Sequence, residues 1–264
     1  MIGRRVLSGA VFLFAFVPMV RFAPVWVFNV FVLLLVLIGQ WELYRMFLAH
    51  GIEVYNGAGI LAGTLVTMSF LHPQLIMLIL FLSVAGLFSW AVARSMTRGP
   101  AWAPLVVTLF GVIYVSWLLG HALILRSLPH GSEWIFLLVW ITWVGESAAY
   151  FVGSSVGRIR LSPKISPAKT VEGAVAQLVV SPLAGLLAHY WFFSALPLIH
   201  ALIVGLLLGF IGQIGDLVES LLKRSMGTKD TGGLIPGHGG LLDRIDSLLF
   251  NTPTLFYYAR HFSS

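Results

Sequence analysis

The 264-residue sequence contains no cysteine, which excludes disulfides, thiolate metal centres and a cysteine nucleophile. Charge is scarce as well: 10% of residues are Asp, Glu, Lys or Arg, against about 25% in an ordinary soluble domain. No polar stretch is long enough to be a soluble domain; the two longest are residues 158–173 and 223–246. Internal repeats and low-complexity tracts are also missing. With 16 basic and 10 acidic residues the net charge is +6. The basic residues fall between apolar runs rather than on a hydrophilic face, so nucleic acid is a poor fit and anionic lipid headgroups and anionic substrates are the partners expected.

What the sequence has in abundance is apolar surface: 58% hydrophobic and 13% aromatic residues, with a mean hydropathy of +0.93. A helix needs about 20 mostly apolar residues to cross the hydrocarbon core, and such runs recur along the chain, whereas the alternating pattern of a barrel does not. The expectation is an all-α, polytopic membrane protein with about nine transmembrane helices, at residues 6–20, 25–42, 57–71, 74–93, 101–119, 134–153, 174–196, 201–222 and 247–259. The opening "MIGRRVLSGAVFLFAFVPMVR" has the basic start and apolar run of a signal peptide without a small-residue cleavage site, and reads as a retained first helix. A cytoplasmic N-terminus puts 13 of the 16 basic residues on the cytoplasmic side and leaves Arg21, Arg126 and Arg260 outside. Ionisable residues concentrate in the later spans, which divides the chain into a scaffold (residues 1–130) and a catalytic region (131–264) carrying the loops 158–173 and 223–246.

The first of those loops lies in "GESAAYFVGSSVGRIRLSPKISPAKTVEG", residues 145–173. Glu146 interrupts an apolar run, where a charged carboxylate is costly unless paired or wetted; it is either functional or a protonated group bonded between helices. Tyr150 follows one turn later on the same face. Ser166 as N-cap and Pro167 at the first helical position predict a helix start, whose free N–H groups with Lys169, in the run Ser166 to Thr170, suit an anion; a basic flank beside a capped helix fits the same residues.

In "GFIGQIGDLVESLLKRS", residues 209–225, Gly205 and Gly209 have the spacing of close helix packing. Gln213, Asp216 and Ser220 share one face, and Lys223 and Arg224 follow; Asp216 is either a site carboxylate or half of a snorkelling ion pair. "KRSMGTKDTGGLIPGHGGLLDRIDS", residues 223–247, then crowds Lys223, Arg224, Lys229, Asp230, Asp243, Arg244 and Asp246 together. Its glycines force turns and allow close backbone approach to a ligand. Asp243 and Asp246, one turn apart, either join Asp216 as hard oxygen ligands of the kind Mg²⁺ takes when it also holds phosphates or are helix-start charges that suit the dipole.

The run from Ser220 to Asp246, "SLLKRSMGTKDTGGLIPGHGGLLDRID", resembles the signature of the CTP:phosphatidate cytidylyltransferases, the CDP-diacylglycerol synthases, at every position of that signature. Upstream, Ala149-Tyr150, Gly153, Gly157, Ser166-Pro167, Lys169-Thr170 and Glu172-Gly173 are similar to the family's second conserved region, with Glu146 standing where the family usually has Asp. The short chain resembles the bacterial members. The resemblance implies transfer of CMP from CTP to phosphatidic acid, giving CDP-diacylglycerol and pyrophosphate at the cytoplasmic face of the bacterial inner membrane. It further implies that Asp216, Asp243 and Asp246 hold one or two cations, Mg²⁺ first, with Lys223 and Arg244 beside them in the catalytic set. Lys164, Ser166, Lys169, Thr170, Arg224, Lys229, Asp230, His238, Gly239 and Gly240 would bind CTP or the lipid phosphate. A polar cavity open to the cytoplasm and to lipid is expected, and short first spans with exposed glycine faces make a homodimer the expected assembly.

Overall fold

A computed structural model describes residues 16–99, 102–232 and 239–263, backbone only for residues 262 and 263. Helical backbone over residues 16–22 is what it describes of the first expected span. There follow α1 (Val25–Ala49), α2 (Asn56–Ser69), α3 (Ile76–Arg98), α4 (Ala103–Ser127, with an i→i+5 turn at Val112–Trp117), α5 (Gly131–Val156), strands β1 (Arg160–Ser162) and β2 (Ser166–Thr170), α6 (Val171–Trp191), α7 (Leu198–Ser225) and α8 (Leu242–Ser263). Prolines mark several starts: Pro24 and Pro197 stand at the N-caps of α1 and α7, and Pro104 lies in the first turn of α4, where a missing N–H costs nothing. Gly99 ends α3 at φ +85°, a conformation that side chains with a Cβ disfavour.

Among the described residues six helices are long and apolar enough to cross a membrane: α1, Pro73–Arg98, α4, α5, α6 and α7. With the apolar composition, they establish an all-α integral membrane protein. The span expected at residues 57–71 is the 14-residue α2, about 21 Å long at 1.5 Å per residue, less than a full hydrocarbon core.

The chain forms two compact units, one comprising the chain up to Arg126 together with Asp230–Leu242, the other Ser127–Lys229 with Asp243–Ser264. In the first, a buried polar cluster ties α1 to α2 and α4. Gln40 Nε2 donates to Gly59 O and Tyr44 Oη at 2.8 Å each, Tyr44 Oη donates to Thr108 O at 2.7 Å, and Ser116 Oγ donates to Gln40 Oε1 at 2.9 Å. In the second unit, small residues bring α5, α6 and α7 together. Gly145 faces Ser181 and Gln177, Gly185 faces the backbone of Ala201, and Gly205 and Gly209 face Ser181 and Pro182, the close packing that their four-residue spacing predicts.

One expectation is corrected. Ser166 does not cap a helix and Pro167 is not its first residue. Residues 166–170 form strand β2, antiparallel to β1 with Arg160 opposite Thr170 and Ser162 opposite Ser166. The helix begins at Val171, because Thr170 supplies the better cap: its Oγ1 accepts from Gly173 N at 3.2 Å. Glu172 accepts from Ile159 N at 3.2 Å, tying helix to hairpin. Pro167 sits in a two-stranded ribbon, where an edge position tolerates its missing N–H.

Candidate active site

The site is built in the second unit from α5, the β hairpin, α7 and α8. Thr170 caps α6, and its side chain packs against Gly153 and Gly157 near the end of α5, where a Cβ on either glycine would collide with it. That contact fixes the end of β2, and so the preceding residue, Lys169. Lys169 Nζ lies 2.5 Å from Asp216 Oδ2 on α7, both partly exposed (25% and 33%). One turn further along α7, Glu219 is fully buried and bonds Lys223 Nζ at 2.9 Å. The same ammonium reaches Asp243 Oδ1 at 2.6 Å, so Lys223 bridges α7 and the first turn of α8.

Between these pairs lie Glu146 and Asp246. Glu146 on α5 faces Asp246, Asp216, Ser247 and Lys169. Asp246 in turn neighbours Asp216, Glu219 and Lys223, and its Oδ1 accepts from Ser247 N at 2.7 Å. The close approach of α7 and α8 that permits this comes from Gly215 and Gly212. A Cβ at Gly215 would stand 2.8 Å from Asp246 O, and one at Gly212 would stand 2.9 Å from Asn251 Nδ2. Asn251 also donates to Thr142 Oγ1 on α5 at 2.9 Å, closing the three helices around the cluster.

Five carboxylates, Glu146, Asp216, Glu219, Asp243 and Asp246, thus share two ammonium groups. In a partly dry site this negative surplus repels itself and attracts cations. Glu219 Oε1 is buried, and the Glu219 carboxyl stands beside Asp246. Hard carboxylate oxygens in excess are the donor chemistry that Mg²⁺ takes. Among the described residues no three such side chains are arranged around one point, since Lys169 holds Asp216 and Lys223 holds Asp243.

The sequence-predicted residues therefore divide. Asp216, Asp243, Asp246, Lys169 and Lys223 come together. Thr170 serves as the cap that positions Lys169. Arg224 is exposed, its Nε donating to Ile165 O at 3.3 Å and its Nη1 to Thr228 O at 3.2 Å, which pins the hairpin tip to the end of α7. Lys164, Lys229 and Arg244 are exposed and Ser166 half-buried. Asp230, Gly239 and Gly240 belong to the first unit, and His238 lies outside the described residues. Tyr150, placed beside Glu146 by spacing, is 69% exposed and turns its ring edge to Phe151. The sequence reasoning missed Glu219, although its position four residues before Lys223 is the spacing of a helical ion pair.

Residues 3–262 match the Cytidylyltransferase family. The chain is 41% identical over 152 residues to the "Phosphatidate cytidylyltransferase" of Bacillus subtilis (strain 168), covering 57% of this chain and 56% of that protein. It is 36% identical over 193 residues to the "Uncharacterized protein YnbB" of Escherichia coli (strain K12), covering 69% and 63%. It is 41% identical over 133 residues to the "Phosphatidate cytidylyltransferase" of Synechocystis sp., covering 50% and 45%. The chain thus spans less than two thirds of the length of each of these relatives. A match that runs from the third residue almost to the last, over a helical membrane chain with this acidic and basic cluster, shows that the chain belongs to the Cytidylyltransferase family.

Proposed function

We propose that this protein is a phosphatidate cytidylyltransferase of the bacterial inner membrane, acting on CTP and phosphatidic acid at the cytoplasmic face. The observation that carries the reading is the cluster of Lys169, Asp216, Glu146, Asp246, Lys223 and Asp243 in one unit of a family member. In the reaction an oxygen of the lipid phosphate attacks the α-phosphorus of CTP. A new P–O–P link forms, the bond to the β-phosphate breaks, and pyrophosphate leaves with the bonding electrons. The lipid phosphate monoester, with its second pKa near 6, is largely dianionic at pH 7, so no strong general base is needed. What the protein must supply is alignment of two anions and stabilisation of charge on the leaving group.

Lys169 and Lys223 are the cations suited to this, the first held in position by Asp216 and the second by Glu219 and Asp243. Phosphate binding exchanges one anionic partner of the lysine for another, so the ammonium need not travel far. Asp216, Asp243 and Asp246 would hold Mg²⁺, which when bound neutralises triphosphate charge and the departing pyrophosphate. Thr170 fixes the strand carrying Lys169, and Arg224 fixes the hairpin beside the end of α7. The exposed Lys164, Lys229 and Arg244 would draw anionic substrate to the surface.

The test is pyrophosphate release by purified protein in mixed micelles of phosphatidate and CTP, with and without Mg²⁺, with ATP and a polyprenol as control substrates. Release that needs CTP, phosphatidate and Mg²⁺ together supports the reading. No release from folded protein, or CTP-dependent phosphorylation of the alcohol, overturns it.

A further inference from the structure

Helix α8 begins at Leu242, and the residue before it, Leu241, has no side-chain oxygen with which to cap it. The first N–H groups of a helix need an acceptor, and in this helix the second residue is Asp243. The acceptor comes from 200 residues away: Glu42 on α1 takes the Leu242 N–H on its Oε2 at 2.9 Å. Glu42 is 2% exposed, deep for a carboxylate in a region otherwise poor in charge. Its other oxygen is approached by Gly232 and Gly240. A Cβ added to Gly232 would stand 2.5 Å from Oε1 and one added to Gly240 would stand 2.6 Å from it. Neither glycine has a positive φ, so what each supplies is room for this carboxylate. Gly232 and Gly240 thus close on one oxygen, while the second oxygen holds the N–H that opens α8.

We infer that Glu42 is a positioning residue for the reaction: a remote carboxylate that caps α8 and packs between Gly232 and Gly240, and so sets where the helix begins and where its first acidic residues stand. A carboxylate at a helix N-terminus also complements the helix dipole. The inference rests on the cytidylyltransferase reading for its kinetic consequence and on geometry alone for its structural one. A side chain that only filled space would leave the placement of α8 unchanged once a neutral isostere replaced it. A cap needs an acceptor oxygen, which glutamine retains and alanine lacks.

The experiment compares wild type, Glu42→Ala, Glu42→Gln, Gly232→Ala and the Glu42→Ala/Gly232→Ala double variant in detergent. Three quantities are read: kcat and KM for CTP and phosphatidate, hydrogen exchange of the amides at Leu242–Ile245, and the melting temperature. Glu42→Ala is expected to lower kcat at least tenfold with both KM values within twofold, and to speed exchange of those amides at least tenfold. Glu42→Gln should stay within threefold of wild type. Gly232→Ala should lower kcat and Tm alone and lower neither further in the Glu42→Ala background, because the three atoms nearest the new methyl all belong to Glu42. Unchanged kcat and exchange in Glu42→Ala, or full additivity in the double variant, overturns the proposal. If Glu42→Ala does not fold, Gly232→Ala decides: wild-type kcat and exchange there overturn it. If the wild type makes no CDP-diacylglycerol, the functional reading fails, and exchange and Tm coupling still test the cap.

Discussion

Lys169 Nζ and Asp216 Oδ2 lie 2.5 Å apart, one at the end of a strand and the other in the last third of α7. A residue that spacing assigns to phosphate and one it assigns to a cation therefore hold each other. Each neutralises the other, and the pair is open enough to solvent to exchange. Lys169→Met should raise the KM for CTP or phosphatidate about tenfold, roughly the worth of one charge-assisted hydrogen bond. It should also lower the Mg²⁺ concentration for half-activation, since Asp216 loses its resident cation. A Mg²⁺ titration of the variant with an unshifted midpoint and unchanged KM values would show that the pair is structural only.

Asp243 and Asp246 occupy one face of the first turns of α8, one against Lys223 and the other against Asp216 and Glu219. Asp246→Asn keeps shape and hydrogen bonding but removes charge. Turnover should fall more than a hundredfold, as for loss of a charge-stabilising group, with a sharp melting transition retained in detergent. Asp243→Asn should lose activity similarly and also lower Tm, because Lys223 loses one of its two ion-pair partners. Wild-type turnover in either variant would remove that residue from the metal assignment.

How much of this was legible in the sequence depends on how local the signal is. Asp216, Asp243 and Asp246 stood out because charge is scarce and helical spacing places each on a definable face. Glu219 did not, since four residues before a lysine it reads as an ordinary surface pair, while the helix turns it fully inward. Glu42 falls at the end of the span expected at residues 25–42, but α1 runs on to Ala49 and buries it, and its partner Leu242 lies 200 residues later. The hairpin at 160–170 was hidden because Ser-Pro is a common helix start, and only pairing with Arg160–Ser162 makes those residues a strand. The packing glycines were legible as spacing, though which helix each one faces required the fold.

Lys223 has 14% of its side chain exposed and serves Glu219 at 0% and Asp243 at 10%. Removing one member of such a buried set leaves uncompensated charge, which costs about 3–5 kcal/mol. Lys223→Met should therefore lower Tm sharply, because two carboxylates lose their counter-ion at once. Glu219→Gln should cost less, since Lys223 retains Asp243. The Lys223→Met/Glu219→Gln double variant should melt above Lys223→Met alone, because one of the stranded carboxylates is gone. Additive losses in thermal unfolding would show that the three groups do not act as a unit.

Gly205 on α7 and Gly86 on α3 make a matched pair for testing the helix packing itself. A Cβ at Gly205 would stand 2.5 Å from both Ser181 O and Pro182 Cα, backbone atoms that cannot rotate aside, whereas a Cβ at Gly86 would meet nothing within 4 Å. Gly205→Ala should push α6 and α7 apart, costing about 1–3 kcal/mol by overpacking. Activity should fall with it, because α7 carries Asp216, Glu219 and Lys223. Gly86→Ala should be neutral or slightly stabilising, by up to about 1 kcal/mol, since alanine is the better helix former. Tm in the same detergent is the measurement; equal effects at the two positions would mean that the α6–α7 contact is looser than the geometry states.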